Sequence, residues 1–196
     1  MACGNVRMEG WINIDKYPTD ATDFVVDVRY GLPFRNLECI YAEHFLEHLA
    51  FPEIMAFLRE CRRVLQSSGV LRLTTPNLDW VYHTHYQSTA GDGHDRAIRN
   101  CFALNKAFRG WGHRFLFNGL TLSAVLHDAG FADIQPAERG RSRHAHLCGL
   151  EHHESYSDLP GIPHLLVVEA AGTRPSGAES VLREGADDYL LACSAR

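Results

Sequence analysis

The sequence predicts an α/β fold, on two observations. Short apolar runs at Trp11–Asp15, Phe24–Val28, Glu38–Ala42 and Val70–Thr74 are dense in Ile, Val and Leu, as strands buried on both faces of a parallel sheet must be. Between the last two runs, Pro52 stands near the start of a segment in which Ile54, Phe57, Leu58, Cys61, Val64 and Leu65 recur at helical spacing, closed by Gly69. Strand, helix, strand is the right-handed crossover of an α/β sheet. Farther on, Leu122, Val125, Leu126 and Ala129 repeat the helical pattern before Gly130, Ile134 lies on a short strand, and Leu165–Ala170 reads as a final strand.

The chain's 196 residues suit one well-buried domain. With 45% hydrophobic and 22% charged residues, the composition is that of a soluble globular protein. No apolar run approaches the ~20 residues of a membrane span, and no secretory leader opens the sequence. A formal charge of −5 argues against broad nucleic-acid binding, which needs a basic face. The six cysteines form no C-x-x-C pair, so reduced thiols in a cytoplasmic protein are expected. Histidine is the outlier at 12 copies, including His83-x-His85, His144-x-His146 and His152-His153. Such pairs can ligate metal, but exposed loop positions account for most of them, and no metal is expected.

In an open parallel sheet, ligands bind beyond the carboxyl ends of the strands. At those ends stand Cys3-Gly4-Asn5, Asp15, Asp27, Glu43-His44 and Thr75-Pro76-Asn77. Gly4 lets the backbone approach a ligand, and Asp15 is placed to accept hydrogen bonds from two ribose hydroxyls. Ordinary strand-end turns account for Asp15 or Asp27 alone about equally well.

The ordered blocks Cys3-Gly4-Asn5, Gly10-Trp11-Ile12-Asn13-Ile14-Asp15, Asp27-Val28-Arg29-Tyr30-Gly31-Leu32-Pro33-Phe34, Glu43-His44-Phe45-Leu46-Glu47-His48-Leu49 and Arg63-Val64-Leu65 with Gly69 resemble the motifs of class I S-adenosylmethionine-dependent methyltransferases. The match is nearest to the small bacterial branch with a G-W-x-N-x-D second strand. It covers roughly residues 2–135, with a weaker echo to Ala170. The resemblance implies a Rossmann-like methyltransferase fold: a mostly parallel sheet with an antiparallel last strand and helices on both faces. It implies S-adenosyl-L-methionine as cofactor, with Cys3 and Gly4 under its methionine part and Asp15 on the ribose. Asp27 and Leu32 would border the adenine, and Glu43 and His44 would face the methionine end. Methylation of a small molecule or glycan is expected, most simply at oxygen, with a homodimer left open.

One departure stands out. The first strand and first glycine of the cofactor loop are missing before Met1-Ala2-Cys3-Gly4. The expectation is a start site assigned too far downstream; otherwise cofactor affinity is weak, or a partner chain fills the gap. A non-catalytic binding or scaffold protein is therefore one alternative.

A metal hydrolase is the other, because His44-x-x-Glu47-His48 read alone has the form of an inverted zinc-protease motif. That motif needs one helix, so that residues four apart share a face. Here His44 follows a strand-like run and precedes Pro52, and sequence positions no third ligand.

Residues 79–114 are rich in aromatics and histidines, among them Trp80, Tyr86, Phe102 and Trp111, and sit where this superfamily inserts a substrate lid. His85, His94 and His113 are the candidate bases, since imidazole takes a proton near neutral pH. Arg139-x-Arg141-x-Arg143 is either an anion-attracting segment or a solvated loop. The domain is expected to span residues 1–172, with 173–196 a tail of no assigned role.

Overall fold

The computed structural model describes residues 4–86, 93–153, 156–175, 180 and 182–194. Its centre is the crossover that the sequence predicts: strand β3 (Leu37–Glu43), helix α1 (Phe51–Val64) and strand β4 (Leu65–Pro76). β1 (Ile14–Asp15) and β2 (Phe24–Val25) precede them in the chain. α1 forms because Phe51, Ile54, Phe57, Leu58, Cys61 and Val64 make one buried stripe, with Pro in its first turn. Its start is fixed by the Ala50 N–H donating to Glu53 Oε2 at 2.7 Å. Gly69 does not close this helix, which ends at Val64. It lies within β4, where a Cβ would meet the Leu37 carbonyl oxygen at 2.8 Å, so the glycine permits close approach of β3 and β4.

Strand β5 (Asp133–Pro136) follows helix α4 (Gly119–Asp128), and β6 (Leu165–Ala171) completes a four-stranded sheet of order β3-β4-β6-β5. β3 and β4 are parallel, while β6 runs antiparallel to both β4 and β5. The last strand is thus the reversed one. Because it sits inside the sheet, however, the ladders are mixed rather than mostly parallel.

β1 and β2 form a separate parallel pair. Both are shorter than the apolar runs suggest, for a local reason. Asn13 folds the preceding segment into a loop, accepting from Met8 N–H and donating to the Met8 and Trp11 carbonyls. Past β2, Asp27 caps a 3₁₀ turn at Val28–Tyr30. A cavity of about 500 Å³ separates this pair from β3, lined by Trp11, Ile12 and Ile14 on one side and Leu37, Cys39 and Tyr41 on the other.

On the other side of β3 lies a buried ion cluster. Arg72 on β4 is fully buried and pairs with Glu151 and with Glu169 of β6, each at 2.6 Å. It also donates to the carbonyls of Glu138 and Arg141, binding the 138–151 loop to the sheet. Arg139 in turn holds the carbonyl of His153, and Arg141 pairs with Glu138, so these arginines shape the loop.

Between β4 and α4, helices α2 (Leu78–His85) and α3 (His94–Asn105) and a π-helical turn (Lys106–Gly110) pack a small second core of Trp80, Val81 and Ala107. Leu182 and, from helix α5 (Arg183–Ser194), Ala186 and Leu190 pack against the main core. Among the described residues, no helix is long and apolar enough to cross a membrane.

Candidate active site

Two cavities open at the carboxyl ends of β1, β3 and β4. The first, about 410 Å³, is lined by Asp15, Lys16, Asp27, Arg29, His44, Phe45, His48, Glu53 and Arg114, among others. The second, about 830 Å³, is walled by the aromatics Trp80, Trp111 and Tyr156 and by six histidines: His44, His48, His85, His113, His153 and His164. His44 and His48 belong to both. A ligand in one cavity therefore meets a ligand in the other across these two imidazoles.

The first cavity is a carboxylate site built on strand ends. Asp15 closes β1 and is held open toward solvent by two backbone donors: Gly4 N–H to Oδ2 and Tyr17 N–H to Oδ1, both 3.0 Å. Each oxygen keeps a further lone pair. Asp27 is clamped by the Arg29 guanidinium, which holds its carboxyl below the usual range. Glu53 bridges Arg114 at 3.0 Å and Arg29 at 3.8 Å.

The turn that carries the shared histidines is strained. His44 takes a left-handed φ of 46°, rare for a residue other than glycine, where the chain leaves β3. A 3₁₀ turn, Leu46–His48, follows, so His44 and His48 do not share one α-helix. Glu47 is fully buried, its Oε1 3.1 Å from His44 Nδ1 and its Oε2 accepting from Thr75 Oγ1 at 3.0 Å. The segment after the π-turn docks here through Arg114 N–H to the Glu47 carbonyl at 2.7 Å. This places His113 beside His48, with ring centroids 5.0 Å apart.

His113 has its Nδ1 2.7 Å from the Ala107 carbonyl, which only accepts; Nδ1 therefore carries the hydrogen and Nε2 a lone pair. Burial pushes its pKa below the usual histidine value. His85, against Trp80, is also lowered, by burial and by Lys106. Both keep the neutral form a base requires.

Of the residues singled out from sequence, Asp15, Asp27 and His44 come together around the first cavity, and His85 and His113 line the second. Gly4 reaches the site through its bond to Asp15. Leu32 is instead buried in the main core, its N–H donating to Glu60. Glu43 accepts from the N–H groups of His152 and His153, fixing that loop rather than facing the cavity. His94 stands exposed at the start of α3 and lines neither cavity. Cys3 lies outside the described residues.

His153 and His164 were not singled out for the site, although the histidine count was a signal for them. Lys16 and Arg114 carried no sequence signal at all.

A sequence match covers 128 residues, 65% of this chain, at 30% identity, with probable S-adenosylmethionine-dependent methyltransferases from two strains of Mycobacterium tuberculosis. The chain is related to S-adenosylmethionine-dependent methyltransferases. It spans 35% of the length of these curated relatives. No family model matches. Among solved structures, it is similar to a methyltransferase from Archaeoglobus fulgidus at 17% identity and TM-score 0.43, over 72% of this chain and 62% of that one. It is also similar to the apo form of the methyltransferase SibL at 14% identity and TM-score 0.46, over 77% and 35%.

Proposed function

We propose that the chain is the catalytic part of a class I methyltransferase that binds S-adenosyl-L-methionine and methylates a hydroxyl of a small molecule or glycan. The observation that carries this reading is the pair of adjoining cavities. One has a strand-end carboxylate with free lone pairs, the other a wall of aromatics and histidines, and His44 and His48 stand between them.

The residues present suit the cofactor. Asp15 would accept from the ribose hydroxyls, Asp27 and Val28 would border the base, and His44 and Phe45 would face the methionine end. A volume of about 410 Å³ is within the range of small-ligand sites. Once bound, the cofactor supplies a methyl group already activated by its sulfonium. What this chain adds is alignment of the acceptor, exclusion of water and a proton acceptor. Nε2 of His113 fits the last role, with its Nδ1–H anchored on a backbone carbonyl. Residues 79–86 and 93–114 of the segment would act as the lid over the acceptor, residues 87–92 lying outside the described residues, and Trp80, Trp111 and Tyr156 favour a ring-bearing molecule by stacking.

The cavity between β1 and β3, where the sheet is not continuous, favours a second reading, a binding or scaffold protein. Calorimetric titration with S-adenosylhomocysteine separates the two. Micromolar binding, followed by methyl transfer to a panel of phenols and glycans, is the expected result. Absence of binding, also with an added upstream strand, would favour the scaffold.

A further inference from the structure

We propose that Glu47, His48 and His113 form a binding site for a divalent transition-metal ion of the zinc class. Their ligand atoms lie within 4.8 Å of one another. Metal–ligand bonds of about 2.0–2.2 Å require the three side chains to close in by under about 1 Å.

Three features prepare the group. First, both imidazoles are oriented from behind. Nδ1 of His113 lies 2.7 Å from the Ala107 carbonyl, and Nδ1 of His48 lies 3.4 Å from the Gly112 carbonyl. Carbonyls only accept, so both hydrogens sit on Nδ1 and both Nε2 atoms present lone pairs, the arrangement that ligating histidines adopt. Second, Glu47 is fully buried and has no Lys or Arg ion-pair partner among the described residues; its contacts are His44 and Thr75. A buried carboxylate without a full counter-charge is costly, and a cation removes that cost. Third, Nε2 of His44 is buried without a hydrogen-bond partner among the described residues, on the same cavity wall.

Two imidazoles and one carboxylate with open positions suit Zn²⁺, Fe²⁺ or Co²⁺ rather than Mg²⁺. The second half of the His44-x-x-Glu47-His48 motif is thus used, but its third ligand comes from His113, delivered by the Arg114–Glu47 backbone bond. The role of the ion rests on the methyl-transfer reading. In the acceptor cavity the ion would hold the acceptor oxygen and lower the pKa of its hydroxyl, in place of the base role of His113, whose Nε2 lone pair it would occupy. Binding of the ion itself does not depend on that reading.

The test is metal binding by the purified full chain, stripped with chelator and titrated with Zn²⁺ by calorimetry and with Co²⁺ by visible absorption. The wild-type chain is expected to take about one equivalent, with cobalt bands of nitrogen–oxygen coordination. His48→Ala and His113→Gln should each weaken binding by at least about tenfold, while His85→Ala, in the same cavity, leaves it unchanged. Circular dichroism identifies any variant that fails to fold, and His48→Gln then replaces it. Absence of stoichiometric binding, or affinity untouched in both folded histidine variants, overturns the proposal. A parallel titration with S-adenosylhomocysteine reads the methyltransferase assignment separately.

Discussion

Asp15→Ala isolates the cofactor reading most directly. The Asp15 carboxylate already accepts two backbone N–H groups at 3.0 Å, so a ribose would use its remaining lone pairs. A hydrogen bond to a charged group contributes about 1.5–3 kcal/mol. Two such bonds sharing one partly engaged carboxylate fall at the low end, about 3 kcal/mol together, or on the order of 100-fold in affinity.

The substitution also removes the ties to Gly4 and Tyr17. Both are solvent-exposed, and their loss should cost about 1–2 kcal/mol, a Tm drop of about 2–8 °C. Calorimetry with S-adenosylhomocysteine reads the first effect and thermal unfolding the second. Asp15→Asn keeps one acceptor oxygen and should fall between wild type and alanine in both. If folded Asp15→Ala binds within about threefold of wild type, the carboxylate does not hold a ribose and the assignment of the cavity fails.

Replacing His113 by Gln should lower kcat by about 10²–10⁴-fold with cofactor affinity nearly unchanged, as for loss of a base; an unaltered rate would exclude it. Arg72→Met strands the buried carboxylates of Glu151 and Glu169 and should cost about 3–5 kcal/mol in urea unfolding; a loss below about 1 kcal/mol would contradict the ion cluster. Stability should also fall on acidification. Nδ1 of His164 accepts from Tyr156 N–H at 3.2 Å, and burial holds its pKa below 6.5. The unfolded chain therefore protonates first, so this histidine has no effect well above pH 6.5 and destabilises the fold as pH drops below it. The urea midpoint should decline between about pH 7 and 5, and His164→Gln should flatten that decline; a parallel profile would refute it.

How legible the fold was depended on how local its causes are. The crossover β3–α1–β4 rests on a helical stripe from Phe51 to Val64 and on continuous apolar strands, patterns written within a few residues of one another. Helix ends were harder to place, because Gly69, which looks like a helix stop, serves strand packing against the Leu37 carbonyl. β1 and β2 shrank because Asn13 and Asp27 spend their side chains on loop and turn backbone, a competition that apolar spacing does not show. Arg139 and Arg141 could be read as an anion site or a solvated loop; in the fold Arg139 holds the His153 carbonyl and Arg141 forms an exposed pair with Glu138.

By itself, the sequence determined the α/β class, the central crossover and the strand-end carboxylate Asp15, because each follows from short-range patterning and from chemistry placed at a strand's end. Only the tertiary structure decided what surrounds His44 and His48. Six histidines from segments as distant as 44 and 164 converge on one cavity, and Glu47 is buried against Thr75. His113 meets His48 through a backbone bond between Arg114 and Glu47. Those meetings depend on how β4, the π-turn and the 3₁₀ turn pack together, a long-range arrangement that no spacing in the chain encodes.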